Sequence, residues 1–193
     1  MKSMIYDFET FGTNHSESAV VSLAALVFDS NKFTTDGGYT YEELLLNVAN
    51  VKFDVADQVQ NHGRTINPDT LKWWGEQSLE AQKQLKPSSD DMSISKLESW
   101  ITSVANPETI ERVYTRGNTF DPMFLHSIIG YDPYPHWKLR DTRSVIEGMT
   151  LFNTSMKNGF MVPGLEDKFI PHDAKHDVAM DVMRMQFLMQ EML

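Results

Sequence analysis

Residues 20–28, Val-Val-Ser-Leu-Ala-Ala-Leu-Val-Phe, form a nearly unbroken apolar run. A run this short and this apolar suits a strand buried on both faces, and it is too short to cross a bilayer. It therefore demands an interior sheet with layers packed on either side. Ile5–Glu9 reads as a neighbouring strand, with Asp7 and Glu9 on one face and Tyr6 and Phe8 on the other. Thr40–Val48 reads as a third strand, so the chain is expected to open with a three-stranded meander.

Helical signals follow. Asn67-Pro68 supplies a cap and first turn ahead of Thr70-Leu71-Lys72-Trp73-Trp74. A second helix is expected from Ser93 to Ala105, then a short strand from Glu111 to Thr115 ending at Gly117. A helix from Thr119 to Gly130 puts Asp121 in its first turn, where an acid is favoured. Lys138–Arg140 reads as a last short strand, Asp141 as a helix cap, and 153–171 as a loop over a site. The final helix runs from about His172 to Met192, with Met180, Met183, Met185 and Met189 as packing residues. Three strands followed by alternating helix and strand describe an α/β fold with a mixed five-stranded sheet and helices on both faces. One domain over 1–193 is expected.

With no cysteine, disulfides and thiolate metal sites are excluded. No signal-peptide core follows Met1, which leads to an expectation of a cytoplasmic protein with no membrane partner. The formal charge of −10 argues against a broad basic surface that holds nucleic acid. It leaves room for an enzyme that grips a few phosphates, because bound divalent ions invert the local potential.

Three clusters carry chemistry: Asp7 and Glu9 in Asp7-Phe8-Glu9, Asp121 after Gly117-Asn118, and His172 with Asp177. Hard carboxylates around one site suit a pair of magnesium or manganese ions, which clamp the attacking and leaving oxygens of a phosphoryl transfer. A histidine beside them can take the proton of an attacking water. Each cluster has a plainer reading. Asp121 alone is a good first-turn acid, and the third cluster alone is a polar helix start. His176 and Asp181 repeat the His172–Asp177 spacing four residues on, deeper in the helix.

Taken in order, the clusters resemble the three motifs of the DEDDh branch of the DnaQ-like, RNase H-like 3′–5′ exonucleases. The phage exonuclease A group and mycobacterial exoribonucleases of similar domain look nearest. Asp7-Phe8-Glu9-Thr10-Phe11-Gly12, Thr70 to Ser78 and Arg140-Asp141-Thr142-Arg143 add to the resemblance. It implies an RNase H-like fold. It also implies that Asp7, Glu9, Asp121 and Asp177 hold two divalent ions, with Glu9 also touching the terminal 3′-hydroxyl. His172 would be the general base, and nucleoside 5′-monophosphates would leave one at a time from the 3′ end of single-stranded DNA.

Among further candidates for substrate contact, Trp73 and Trp74 could stack on an unpaired base, although adjacent helical residues face different ways and at least one is expected in the core. Phe8 and Phe11 could wedge the terminal nucleotide, with Phe8 equally suited to sheet core. Thr10 and Asp141 complete the set, Asp141 being also a plain helix cap. Other readings are an exoribonuclease or oligoribonucleotide-degrading enzyme, a catalytically silent nucleic-acid-binding module, and a metal-dependent hydrolase of small phosphodiesters.

Overall fold

The computed structural model describes residues 1–35, 37–151 and 157–192. Five strands form one mixed sheet: β1 (Lys2–Thr10), β2 (Val20–Asp29), β3 (Ala49–Lys52), β4 (Arg112–Thr115) and β5 (Leu139–Asp141). Their order across the sheet is β3-β2-β1-β4-β5, with the first three antiparallel and β4 and β5 parallel to β1. The eight α-helices among the described residues are α1 (Tyr41–Asn47), α2 (Val55–Asn61), α3 (Pro68–Gly75), α4 (Leu79–Gln82), α5 (Leu97–Val104), α6 (Asp121–Ile129), α7 (Thr142–Met149) and α8 (Ala174–Glu191).

Alternation along β1 divides the core. Ile5 packs with Ala24, Leu26 and Phe28 of β2 under α1, α7 and α8. Met4, Tyr6 and Phe8 pack with Leu23 and Ala25 under α5 and α6. Burying each large apolar side chain is worth about 1.5–3 kcal/mol, so a one-residue slip of β1 would exchange both core faces at once. This locks Asp7 and Glu9 onto the α8 side.

One segment departs from the sequence reading. Thr40–Val48 was expected to be a strand, yet Tyr41–Asn47 is helical and β3 begins only at Ala49. Thr40 caps α1 by accepting from the Glu43 amide at 3.1 Å, and Glu42 and Glu43 complement the helix dipole in the first turn. Tyr41 and Leu44, three residues apart, bury one stripe against the core. The expected meander survives with a later and shorter third strand.

The other expected elements fall within a few positions of where the residues place them, whereas α2 and α4 had no counterpart in the sequence reading. Asn67 caps α3, Asp141 caps α7 and Gly130 closes α6 with φ +90°. Of the loop expected over 153–171, residues 153–156 lie outside the described residues, and 157–171 carry neither helix nor strand. Met180, Met183 and Met185 pack into the core, whereas Met189 is exposed. No helix among the described residues is long and apolar enough to cross a membrane.

Candidate active site

The C-terminal end of β1 is where the chain concentrates its acids. β2 carries one extra residue, Val21, between the partners of Glu9 and Thr10, so the ladder bulges at the end of the Asp-x-Glu segment. Such a bulge bends the strand and re-aims side chains at its tip. Asp121 opens α6 after the turn at Gly117, whose φ of +145° favours glycine. Its carboxylate accepts from the Phe8 amide at 3.0 Å and is 2% exposed, so α6 is stitched to β1 between the two strand acids.

Asp177 comes from the first turns of α8, whose N-terminus is capped by Asp173 through the amides of Lys175 and His176. Asp177 Oδ2 accepts from the His172 amide at 2.9 Å. His172 has φ +62°, in the left-handed region that costs a residue with a side chain about 1–3 kcal/mol unless its surroundings hold it. A nitrogen of its ring and one carboxylate oxygen each from Glu9 and Asp177 lie within 4.8 Å of one another.

All five residues border a single cavity of about 460 Å³ together with Arg116, Arg143 and Phe120. Crowding of like charges in a buried place shows in their protonation. Burial pushes the Asp7 and Glu9 carboxyls well above the usual range, and the neighbouring acids push further. Burial raises Asp121 to about 7 against the opposing pull of the Phe8 amide and Arg143. Asp177 also sits at about 7, raised first by burial and then by Asp181 one turn along, with the His172 amide, Arg184 and Arg116 opposing. A cluster that ionises so reluctantly alone is a natural cation site, and its all-oxygen donors suit a hard divalent ion. Burial lowers His172, keeping the ring neutral and able to accept a proton.

An adjoining cavity of about 430 Å³ shares Phe8, Glu9 and Phe120 with the first and continues past Thr10, Gly12, Thr70 and Trp73. Trp73 is 39% exposed and meets the His172 ring edge-to-face at 4.7 Å. Trp74 is 1% exposed and donates its indole N–H to the Thr10 carbonyl at 3.0 Å, so it is core and only edges this cavity. The Thr10 hydroxyl is engaged with the Gly12 carbonyl at 2.7 Å. A Cβ on Gly12 would lie 2.3 Å from Ser18 Oγ, which explains the glycine in this motif.

Phe8 lies with Tyr6 and Phe124 in the core beneath the cavity floor, at 3% exposure. Phe11 points away from the acids into the cluster with Trp74 and lines a separate cavity of about 530 Å³. A wedge at the terminal nucleotide is therefore unavailable to Phe11, because the strand bulge and the turn at Gly12 send it to the other side. Asp141 is spent capping α7, accepting from the amides of Arg143 and Ser144, and borders neither of the two acid-side cavities.

Arg143, considered from the sequence with Arg140 and Asp141 as a contact for the metal shell or phosphate, borders the acid cavity, whereas sequence reasoning missed Arg116 and its support. Arg116, at the end of β4, donates to Asp181 Oδ1 at 2.7 Å and to Asn158 Oδ1 at 3.2 Å. Asp181, 1% exposed, also accepts from Arg184 at 2.6 Å and from the Thr142 hydroxyl at 2.6 Å. One local signal existed: Arg116 precedes the glycine turn that leads to Asp121.

Residues 2–184 match the family model described as the 3′–5′ exoribonuclease Rv2179c-like domain. The chain belongs to that family. It is also 30% identical to the exodeoxyribonuclease of Enterobacteria phage T4 over an alignment of 211 positions, covering 98% of this chain and 90% of the relative. E. coli exonuclease I in complex with a 5cy-dT13 oligonucleotide superposes with TM-score 0.63 at 20% identity, over 98% of this chain and 40% of that one. The same enzyme with a dA16 oligonucleotide gives TM-score 0.62 at 20% identity, over 98% and 41%. At such identity these two show the fold alone, and this chain spans about two fifths of their length.

The sheet is thus that of the RNase H-like fold, and the protein is a DnaQ-like 3′–5′ exonuclease, a hydrolase acting on nucleic acid. Among the described residues, Glu9, His172 and Asp177 form a group able to hold an ion.

Proposed function

We propose that this exonuclease, a single domain over 1–193, removes nucleotides from the 3′ end of single-stranded DNA by two-metal catalysis, with His172 as general base. The convergence of Asp7, Glu9, Asp121, His172 and Asp177 on one cavity carries this reading. Their carboxylates are four hard donors in a water-poor place, which fits magnesium or manganese. Two such ions, when bound, would stabilise charge on the attacking and leaving oxygens of the scissile phosphate.

The protein's own groups do the rest. His172, kept neutral by burial, accepts the proton of the attacking water. Glu9, at the junction of the two cavities, is placed to meet the terminal 3′-hydroxyl. Arg116 and Arg143 border the same space and offer guanidinium groups to non-bridging phosphate oxygens. The exposed face of Trp73 offers a platform to a base splayed from its neighbour, which is easiest for a single strand. The product is a nucleoside 5′-monophosphate.

The preference for DNA is supported by the exodeoxyribonuclease activity of the phage T4 relative and by the oligonucleotides bound to the structural neighbours. The exoribonuclease in the family's description favours RNA as the second reading. Strands of DNA and RNA of one sequence, labelled at the 5′ end and incubated with manganese or magnesium, separate the two. The expected result is a ladder shortening from the 3′ end, faster for DNA and abolished by Asp121→Ala. A faster RNA ladder would move the assignment to the exoribonuclease, and no shortening of either strand would defeat both.

A further inference from the structure

His172 stands in a left-handed backbone conformation at the mouth of α8, and only contacts from elsewhere can hold it there. Its amide is held by Asp177. Its carbonyl accepts a hydrogen bond from Nε2 of Gln84, a residue of the 3₁₀ turn Lys83–Leu85 and 88 positions away in the chain. The other end of the Gln84 amide accepts from the Ser22 hydroxyl at 2.7 Å.

Ser22 is 1% exposed and lies directly opposite Glu9 in the β1–β2 ladder. The orientation of the amide follows from chemistry. A carbonyl can only accept, so the NH2 must face His172, which leaves Oε1 for Ser22 to donate to. Gln84 borders neither acid-side cavity; it lines the separate one with Phe11, Val21 and Leu85. It therefore reaches the chemistry only through the backbone it holds.

We infer that Gln84 is a positioning residue for hydrolysis, its side-chain amide tying the backbone of His172 to the strand that pairs with Glu9. The inference rests on the reading of His172 as the proton acceptor. Loss of this tie would let the segment ahead of α8 relax and carry the imidazole away from Glu9 and Asp177. The side chain is close in volume to methionine, which cannot donate, and to glutamate, which presents an acceptor to the His172 carbonyl at neutral pH.

Steady-state and single-turnover kinetics of Gln84→Met, Gln84→Glu, His172→Ala and the double variant Gln84→Met/His172→Ala test this in the full chain with manganese. The expected result is a fall of about tenfold or more in kcat for both Gln84 variants, the size typical of a lost outer-shell partner, with KM within about twofold. The Gln84→Met change should then cost nothing further once His172 is gone, because residues that act as a unit are not additive. Ser22→Ala, which frees the far end of the amide without removing it, should give a smaller loss in kcat and keeps the inference open to test if a Gln84 variant fails to fold. Equal losses in the presence and absence of His172, or a wild-type kcat in Gln84→Met, would overturn the role of Gln84. A wild-type kcat in His172→Ala would instead overturn the function given to His172, and the two failures are told apart by that single variant.

Discussion

α8 and the segment just ahead of it carry two histidine–aspartate pairs of identical spacing, His172 with Asp177 and His176 with Asp181, and their surroundings send them to different work. His172 faces the groove against Trp73, and Asp177 borders a cavity shared with three other acids. His176 turns the other way to the Tyr41 hydroxyl, 2.9 Å from its Nδ1. Asp181 is enclosed by Arg116, Arg184 and Thr142. An acid that already has two guanidinium partners is satisfied and has little to offer a cation. An acid left among its own kind needs one. The lesson is that metal-site chemistry lies in the missing counter-charge, which spacing along a helix does not reveal.

The widest separation between the pairs is expected in turnover. His172→Ala should lower kcat by about 10²–10⁴-fold, the usual worth of a positioned general base. His176→Ala should leave kcat near wild type while losing the Tyr41 bond, about 1 kcal/mol of stability. Comparable losses of kcat in the two variants, measured on one labelled oligonucleotide, would erase the distinction.

The aspartates should separate in stability. Asp181→Ala leaves Arg184, 5% exposed, without its carboxylate, and breaking a buried pair costs about 3–5 kcal/mol. For a domain of this size that is a drop on the order of 10 °C in melting temperature. Asp177→Ala removes a like charge from the crowded cavity at the cost of one hydrogen bond to the His172 amide, about 1 kcal/mol, so the metal-free protein should melt well above Asp181→Ala while its activity is lost. Calorimetry that found Asp177→Ala the less stable of the two would invert this account.

A smaller effect sharpens the same contrast through pH. Asp121 and Asp177 titrate at about 7 in the folded protein, against about 4 in an unfolded chain. Between those values the folded state holds protons that the unfolded state has released. Stability of the metal-free protein should therefore fall as pH rises from about 4 to about 7. A divalent cation takes the place of those protons, so manganese should raise the melting temperature more at pH 7.5 than at pH 5. An equal rise at both values would mean that the carboxylates are not the cation's ligands.

Much of the architecture was legible along the chain because its signals are local. The apolar run at 20–28, the caps at Asn67 and Asp141 and the glycine at 130 each act within a few residues of themselves. The error at Thr40–Val48 was also local. Thr40-Tyr41-Glu42-Glu43 is a capping box, and its polar start outweighs the strand-like pattern of the leucines that follow. Trp73 and Trp74 illustrate the opposite limit. A helix turns about 100° between them, so one had to be buried, but which one depended on the Thr10 carbonyl from another segment.

For this protein the sequence alone determined that Asp7 and Glu9 share a face and that Asp121 opens a helix after a glycine turn. Strand alternation and helix capping need no distant partner to be read. The tertiary structure alone decided which tryptophan meets the groove, that Arg116 lies among the acids, and that His176 turns away to Tyr41. Those outcomes turn on the Thr10 carbonyl, 64 residues from Trp74, and on Asp181, 65 residues from Arg116. Contacts over such separations form only when the sheet is assembled, because hydrogen bonding and charge pairing act over a few ångströms of space, whatever the distance along the chain.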